Sequence, residues 1–530
     1  MSRRHALLLA PVLALTACTA DAGEAAREPA PSASATSGPA VQLARPSGVQ
    51  VLGGGASGLA TSASRTLYER APVVVVAPAG DPAAQAQAAS VAVAAGAPLL
   101  LSPAPAGSSS AAPEDDPAAA EVERLGARTV VAVGDATAWA QDLDDVEVVE
   151  APDGAPAAGG DPLAAVAGLP LDAPPPDLEG LDGAPAQRQD GLVVLASATA
   201  PDALAAVATA RAAGADVHLV GTPDPRASGP LVTALAAEQP SAVLALGDAF
   251  GDPARLEARL ASASTGVELP AGGQLVLPGK LYVALYGHPG SSALGVLGEQ
   301  GVEQTIVRAK ELAADYEAAG SGVPVVPTLE IITTVASSAL GDGDYSDESE
   351  LDHVRPLVDA AAREGVYVVL DLQPGYDDFL TQARMYEPLL ALPHVGLALD
   401  PEWRLGPGER HMRQIGRVGA DEVNSVVTWL ADLTRDRELP QKMLLLHQFK
   451  TFMLEDRDRI DLSRDELSVV TQMDGHGAPG TKQETWDVLR PGTRDGMRWG
   501  WKNFYDEDNP MLTPAQTLAV EPTPVFVSYQ

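Results

Sequence analysis

The stretch richest in chemical possibility is Val395–Arg404, Val-Gly-Leu-Ala-Leu-Asp-Pro-Glu-Trp-Arg. It alternates as a strand does, so Gly396, Ala398, Asp400 and Glu402 share one face while Val395, Leu397 and Leu399 share the other. Small residues that give way to two carboxylates suit the interior of a parallel barrel strand, packed low down and chemical at its C-terminal mouth. The aliphatic face then lies under helices. Other strand-like runs after residue 280 end in the same kind of chemistry. Tyr286 and His288 close the first, and Glu330 belongs to the second. Asp371 and Gln373 close the third, and Trp403 follows the fourth. His447 and Gln448 end the fifth, and Gln472 and Asp474 the sixth. Trp501 and Lys502 sit in the seventh, and Tyr529 closes the eighth. Acids, amides and aromatics on one rim suit a sugar site, where carboxylates move protons and aromatic faces cover pyranose rings.

Other chemistries are less well served. His288, His447 and His476 could gather a metal with Asp474, but no His-x-x-x-His spacing occurs and no metal is expected. Gly53-Gly54-Gly55 is not followed by Lys-Ser or Lys-Thr, and neither Gly134-Asp135 nor Gly247-Asp248 forms a Gly-x-Gly-x-x-Gly loop. A Gly-x-Ser-x-Gly nucleophile elbow is absent. No nucleotide site and no cofactor are expected. Asp400 has an alternative role as a cap at a strand end.

The elements that must hold these residues are legible as periodic runs. Eight strands are expected at Leu281–Tyr286, Val325–Thr333, Val366–Leu372, Val395–Asp400, Met443–Gln448, Ser468–Asp474, Met497–Phe504 and Pro524–Tyr529. Helical patterns separate most of them: Val302–Ala319, Glu350–Arg363, Tyr376–Leu392 and Asp421–Arg437. That alternation predicts a (β/α)8, TIM-like barrel over residues 271–530. Upstream, two stretches echo each other. Pro72–Ala77, the Ala-rich helix Pro82–Ala95, Gly96–Leu101 and Arg128–Val133 correspond to Gly191–Ala196, Asp202–Ala213, Gly214–Val220 and Ser241–Leu246. Continuous apolar strands alternating with helices predict parallel α/β units, at 48–150 and 190–270, joined by a Pro- and Gly-rich linker at 151–189. The fold class is therefore α/β, with tandem parallel α/β repeat units followed by the barrel.

Composition limits the partners. The formal charge of -36 argues against nucleic acid and against a basic membrane-surface helix. A single cysteine excludes an internal disulfide. Met1–Ala17 has a basic start at Arg3 and Arg4, an apolar run from Ala6 to Leu15, and then Leu15-Thr16-Ala17-Cys18. This resembles a bacterial lipoprotein signal peptide with its lipobox. The resemblance implies cleavage before Cys18, lipid attachment (palmitate among the acyl groups) to its sulfur, and anchoring at the extracytoplasmic face of the cell membrane. Residues 18–47, rich in Ala, Pro, Ser and Glu, read as a disordered tether.

Two further resemblances concern function. Ala97-Pro98-Leu99-Leu100-Leu101, Leu125-Gly126-Ala127, Pro201-Asp202-Ala203-Leu204-Ala205 and Ala212-Ala213-Gly214-Ala215 make the α/β units similar to the cell wall-binding repeat 2 family of surface proteins. That similarity implies a cell wall polymer as partner. The run Val395–Glu402 resembles the active-site strand of family-18, chitinase-like glycoside hydrolases, whose pattern is Asp-Gly-apolar-Asp-apolar-Asp-x-Glu on the fourth barrel strand. Gly396, Leu397, Leu399, Asp400 and Glu402 match it, while Val395 and Ala398 replace the first two acids. Asp474 after Met473 is similar to the acid of that family's sixth strand. The resemblance implies Glu402 as the acid that protonates the leaving oxygen and Asp400 as the group that orients a substrate N-acetyl nucleophile. The expected function is hydrolysis of an envelope or other N-acetylated glycan; the alternative is a non-catalytic, glycan-binding barrel.

Overall fold

Runs that are apolar at every position become strands covered on both faces. Leu192–Ser197 shows this directly. Leu192, Val194 and Ala196 face a core shared with Ala-rich helices, and Val193 and Leu195 face the helices Gly229–Glu238 and Pro253–Ala263. The computed structural model describes residues 40–103, 116–151, 161–171, 187–341 and 343–530. The proposed signal peptide, Cys18 and most of the tether lie outside the described residues, as does much of the linker. No helix among the described residues is long and apolar enough to cross a membrane.

The N-terminal part holds two four-stranded parallel sheets. One runs in the order Leu99–Ser102, Val73–Pro78, Thr129–Ala132, Glu147–Glu150. The other runs Asp216–Val220, Leu192–Ser197, Ala242–Leu246, Gly48–Leu52. Both orders start a unit at an inner strand, step to one edge and then return across it. The strand at Gly48–Leu52 joins the second sheet although the chain enters the first sheet next. Between the sheets pack the helices Ala56–Leu67, Pro82–Ala95 and Leu204–Ala212, whose buried faces are mostly alanine. A short helix inside the linker, Pro162–Ala167, adds Leu163 and Val166 to that core.

Residues 281–529 close into a parallel barrel of eight strands. They are labelled β1 (Leu281–His288), β2 (Val325–Ala336), β3 (Tyr367–Leu372), β4 (Val395–Leu399), β5 (Lys442–Gln448), β6 (Leu467–Met473), β7 (Arg498–Asn503) and β8 (Phe526–Tyr529). Pairing of β1 with both β2 and β8 completes the ring. Each expected strand is present. The helix expected over Tyr376–Leu392 is instead two pieces, Phe379–Met385 and Glu387–Leu390. Pro388 explains the break, since its ring clashes with the carbonyl one turn back and it has no N–H to donate. Two antiparallel arms, Ser291–Gly295 on β1 and Ser346–Glu348 on β2, raise the barrel wall at its mouth.

The alternation expected for β4 holds. Val395, Leu397 and Leu399 pack outward against the helices, and Ala398 packs inward with Tyr282, Val326, Tyr367, Met443 and Phe526. Leu269, Val276 and Leu277, from the segment entering the barrel, join this inner cluster. At the contact between the N-terminal part and the barrel, Asp465 pairs with Arg255 and Arg259, and Arg259 reaches Asp224 at 3.3 Å. Arg226 also donates to the Asp465 carbonyl at 3.2 Å. The cavity of about 450 Å³ beside this cluster is lined by arginines that are ion-paired, so it reads as a clamp.

Gly396 is required by close approach: a Cβ there would lie 2.7 Å from the Met443 carbonyl oxygen and 2.9 Å from the Tyr367 hydroxyl. Gly396→Ala is therefore expected to destabilise the barrel by about 1–3 kcal/mol through overpacking. A lower denaturant midpoint in equilibrium unfolding checks this, and an unchanged midpoint would show that the neighbouring strand yields freely.

Candidate active site

Going up the barrel interior, apolar residues give way to a polar layer. Tyr286 from β1, Glu330 from β2, Asp371 from β3, His447 from β5 and Gln472 from β6 occupy it, all 3% exposed or less. Asp400 and Asp474 follow β4 and β6, and Lys502 comes from β7. The strands bring together residues that are far apart in sequence because every second side chain of each strand points inward.

His447 sits at the centre. Its Nε2 lies 2.7 Å from Glu330 Oε1 and its Nδ1 2.9 Å from Asp474 Oδ2. Asp371 Oδ1 is 3.8 Å from Nε2. The Tyr286 hydroxyl donates to Asp371 Oδ2 at 2.9 Å and accepts from Gln373 Nε2 at 3.3 Å. Lys502 Nζ stands 3.5 Å from the centre of the Tyr286 ring, within cation–π range. Gln472 donates to Ser528 across the interior.

Above this layer opens a cavity of about 530 Å³. Asp400, Glu402, Trp403, Asp474, Tyr286, Gln373 and Lys502 line it. Glu402 is fixed through its backbone. Its N–H donates to Asp400 Oδ1 at 3.0 Å, so Asp400 caps the turn Pro401–Trp403, and its carbonyl accepts from Gly416 N at 2.7 Å. Any Cβ on Gly416 would collide with the carbonyls of Pro401 and Glu402, which ties the returning loop tightly to this turn. Arg404 braces the turn from behind, with Nε 3.0 Å from Glu422 Oε1. The Trp403 ring stacks on His411 at 4.9 Å and 18°.

Five carboxyls crowd two cationic side chains here, and the electrostatics follow. Burial, reinforced by Asp474 and opposed by Lys502 and His447, pushes Glu402 up to about 7. Burial likewise lifts Asp371 to about 6 against the pull of His447, and lifts Asp400 well above the carboxylate range. Asp474 is the exception. Burial raises it, but the hydrogen bond and charge of His447, with Lys502, outweigh burial and hold it below its ordinary value. His447 is raised well above a free imidazole: burial opposes the charge, but Asp371, Glu330 and Asp474 overcome it. Below about pH 7 the barrel mouth thus sets a protonated carboxyl, Glu402, against an ionised one, Asp474.

Four of the residues expected at the rim sit elsewhere. His288 is tied between its own turn and the β2 arm, with Nδ1 accepting from Gly290 N at 3.0 Å and Nε2 3.1 Å from Ser349 Oγ. Gln448 braces the next loop and accepts from Arg457 at 2.7 Å. Trp501 faces outward into a cluster with Trp486 and Trp499. Tyr529 also faces outward, its hydroxyl 2.8 Å from that of Tyr316. Glu330, Asp371, His447 and Gln472 lie in the layer beneath the cavity. Cys18 lies outside the described residues. Sequence reasoning did not place His411, Met412, Thr481, Thr485 and Phe504 on the cavity wall. Phe504 had a signal, since it ends the expected seventh strand; the others sit in loop and helix with none. Asp400, His447 and Asp474 offer atoms within 4.8 Å of one another, a spacing a metal ion could use. Both ring nitrogens of His447 are already held by carboxylates, so an ion would have to displace one of them.

Fold and site together define a closed eight-stranded parallel, TIM-like barrel, without an α-helix between β5 and β6, that carries an acid-lined cavity at the C-terminal ends of its strands. No family model matches the chain, and no curated protein does. Among solved structures, a mutant of the cellobiohydrolase Cel6A from Humicola insolens, in complex with methyl-tetrathio-alpha-d-cellopentoside, is a weak neighbour. Identity is 11%, the TM-score is 0.19, and the match covers 47% of this chain and 65% of that one. The chain therefore spans less than two thirds of that neighbour's length.

The Glu402 environment makes a stability prediction that needs no substrate. A carboxyl whose folded pKa is raised to about 7 contributes stability at low pH that is lost as pH rises through that value. The Glu402→Gln variant lacks this loss. Its melting temperature relative to the parent should therefore rise between pH 5 and pH 8; a difference that stays flat across that range would place Glu402 in an ordinary solvated setting.

Proposed function

We propose that the barrel hydrolyses glycosidic bonds in an envelope or other N-acetylated glycan. Glu402 serves as the general acid and Asp474 as the ionised carboxylate opposite it. The observation that carries this reading is the placement of Glu402. Its carboxyl lines a cavity, its backbone is clamped on both sides, and burial raises its pKa to about 7, so it holds its proton below that pH. A proton donor to a departing sugar oxygen needs that combination. Trp403, stacked on His411, offers an aromatic wall for a sugar ring, and Gln373 and Lys502 offer donors for hydroxyl or acyl oxygens. Asp400 has one oxygen occupied by the Glu402 N–H, so its main contribution is to orient Glu402. The chain delivers this site to the extracytoplasmic face of the membrane through a lipid on Cys18, and the N-terminal α/β part meets the cell wall polymer.

One observation favours a second reading, a barrel that binds glycan without cleaving it. Where the chitinase-like pattern has an acid, Ala398 belongs to the apolar interior. Against that, Asp371 stands in register beside Ala398 on the neighbouring strand and returns an acid to this layer.

The two readings separate on methylumbelliferyl chitooligosaccharides. Glu402→Gln should reduce kcat by about 100- to 10,000-fold and leave substrate affinity within a few-fold. Parent activity should fall above about pH 7 as Glu402 deprotonates. Retained affinity with no hydrolysis by the parent enzyme would support the binding reading instead. Anchoring has its own test: Cys18→Ser should abolish labelling by radioactive palmitate and release the protein from the membrane fraction, and continued labelling would exclude Cys18 as the lipid site.

A further inference from the structure

We propose that His447 is the positioning residue of this site: bracketed by Glu330 and Asp474, it fixes which Asp474 oxygen faces the reaction and keeps that carboxylate negative. The geometry carries the inference. A neutral imidazole has one N–H and one lone pair, so it can donate to only one of two carboxylates. Here both ring nitrogens meet carboxylate oxygens, at 2.7 and 2.9 Å, in a ring that is fully buried. Both contacts are attractive at once only when the ring carries two protons or when one acid keeps its own.

The surrounding groups favour the doubly protonated ring. Facing it are Glu330 from β2, Asp371 from β3, Asp400 and Glu402 after β4, and Asp474 after β6. Tyr286 from β1 and Lys502 from β7 complete the circle; the Tyr286 ring centre is 6.1 Å from that of His447. Lys502 is the one cation opposing the charge among these. Of these acids Glu330, Asp371 and Asp474 act most directly on the ring, and they outnumber the one lysine, so a buried imidazolium balances the layer.

The consequence for chemistry is specific. His447 occupies Asp474 Oδ2, while Asp474 Oδ1 has no hydrogen-bond partner among the described residues. Oδ1 is buried and unpartnered, so it is the oxygen with bonding capacity left for a donor that enters from the cavity Asp474 lines. Glu330 acts one step further back, holding Nε2 so that Nδ1 points at Asp474. The catalytic consequence rests on the glycosidase reading; the charge and geometry of the bracket do not.

The experiment is nitrogen-15 NMR of histidine-labelled full-length protein, with the His447 signals assigned by their loss in His447→Gln. At pH 7 both ring nitrogens should show the imidazolium signature, and the ring should remain charged at pH 8 after ordinary histidines have titrated. Glu330→Gln keeps a hydrogen-bonding group but removes a charge, and should lower the His447 midpoint by about one unit, a tenfold loss of proton affinity. His447→Gln, which removes the charge that holds Asp474 down, should move the acidic limb of kcat/KM on methylumbelliferyl chitooligosaccharides to higher pH, which a purely structural defect would not do. Should His447→Gln fail to fold, Glu330→Gln still assigns the ring through the resonance it shifts. A neutral His447 at pH 7, or a midpoint that Glu330→Gln leaves in place, overturns the proposal. Absence of turnover on every glycan would remove the glycosidase reading and leave the NMR result to decide the bracket alone.

Discussion

The barrel mouth depends on one interaction, the bracket of His447 between Glu330 and Asp474. These three residues come from β2, β5 and the end of β6, and all are buried. Removing Asp474 would take away the partner of Nδ1, removing Glu330 would leave Nε2 only the 3.8 Å approach of Asp371 Oδ1, and removing the ring would leave Lys502 as the remaining cation among buried carboxyls. Such a network is stable only when the strands hold their relative register, so the polar layer and the barrel constrain each other. The apolar layer beneath provides that register through tight contacts such as Gly396 against Met443 and Tyr367.

Above the bracket, charge is sorted by height. Asp474 is drawn down by its bond to His447, and Glu402, farther out on a clamped turn, is pushed up by burial and by Asp474 itself. Burial and Asp474 raise one carboxyl while His447, with Lys502, lowers its neighbour, so the two are displaced in opposite directions. Loops with no chemistry of their own hold the arrangement. Gly416 and Arg404 fix the Glu402 turn. The buried Lys482–Asp508 pair ties the helix Pro479–Leu489 to the loop after β7, where Asp508 accepts from Gly477 N and Phe504 N.

Much of this was legible from residue types. The alternation of Gly396, Ala398, Asp400 and Glu402 pointed to the barrel interior, and the eight apolar runs to the closed sheet. What was not legible was which polar strand-end residues turn inward. In β7, Trp499 and Trp501 alternate with Gly500 and Lys502, and both faces are buried, so composition did not say which face met the cavity. The Gly500 and Lys502 face does; the tryptophans pack outward. Tyr529 and Gln448 misled for the same reason, since a covered outer face accepts polar groups that find partners. The Glu330–His447 contact spans 117 residues and has no local signature. The loop carrying His411 and Met412 to the cavity is equally silent in sequence.

The most direct test is the titration of the Glu402 carboxyl itself, followed by carbon-13 NMR of glutamate-labelled protein and assigned with Glu402→Gln. A barrel mouth organised as described gives a midpoint of about 7. A midpoint at the ordinary glutamate value of 4.5 would mean that Glu402 is solvated and unpaired, and would contradict its role as the proton donor.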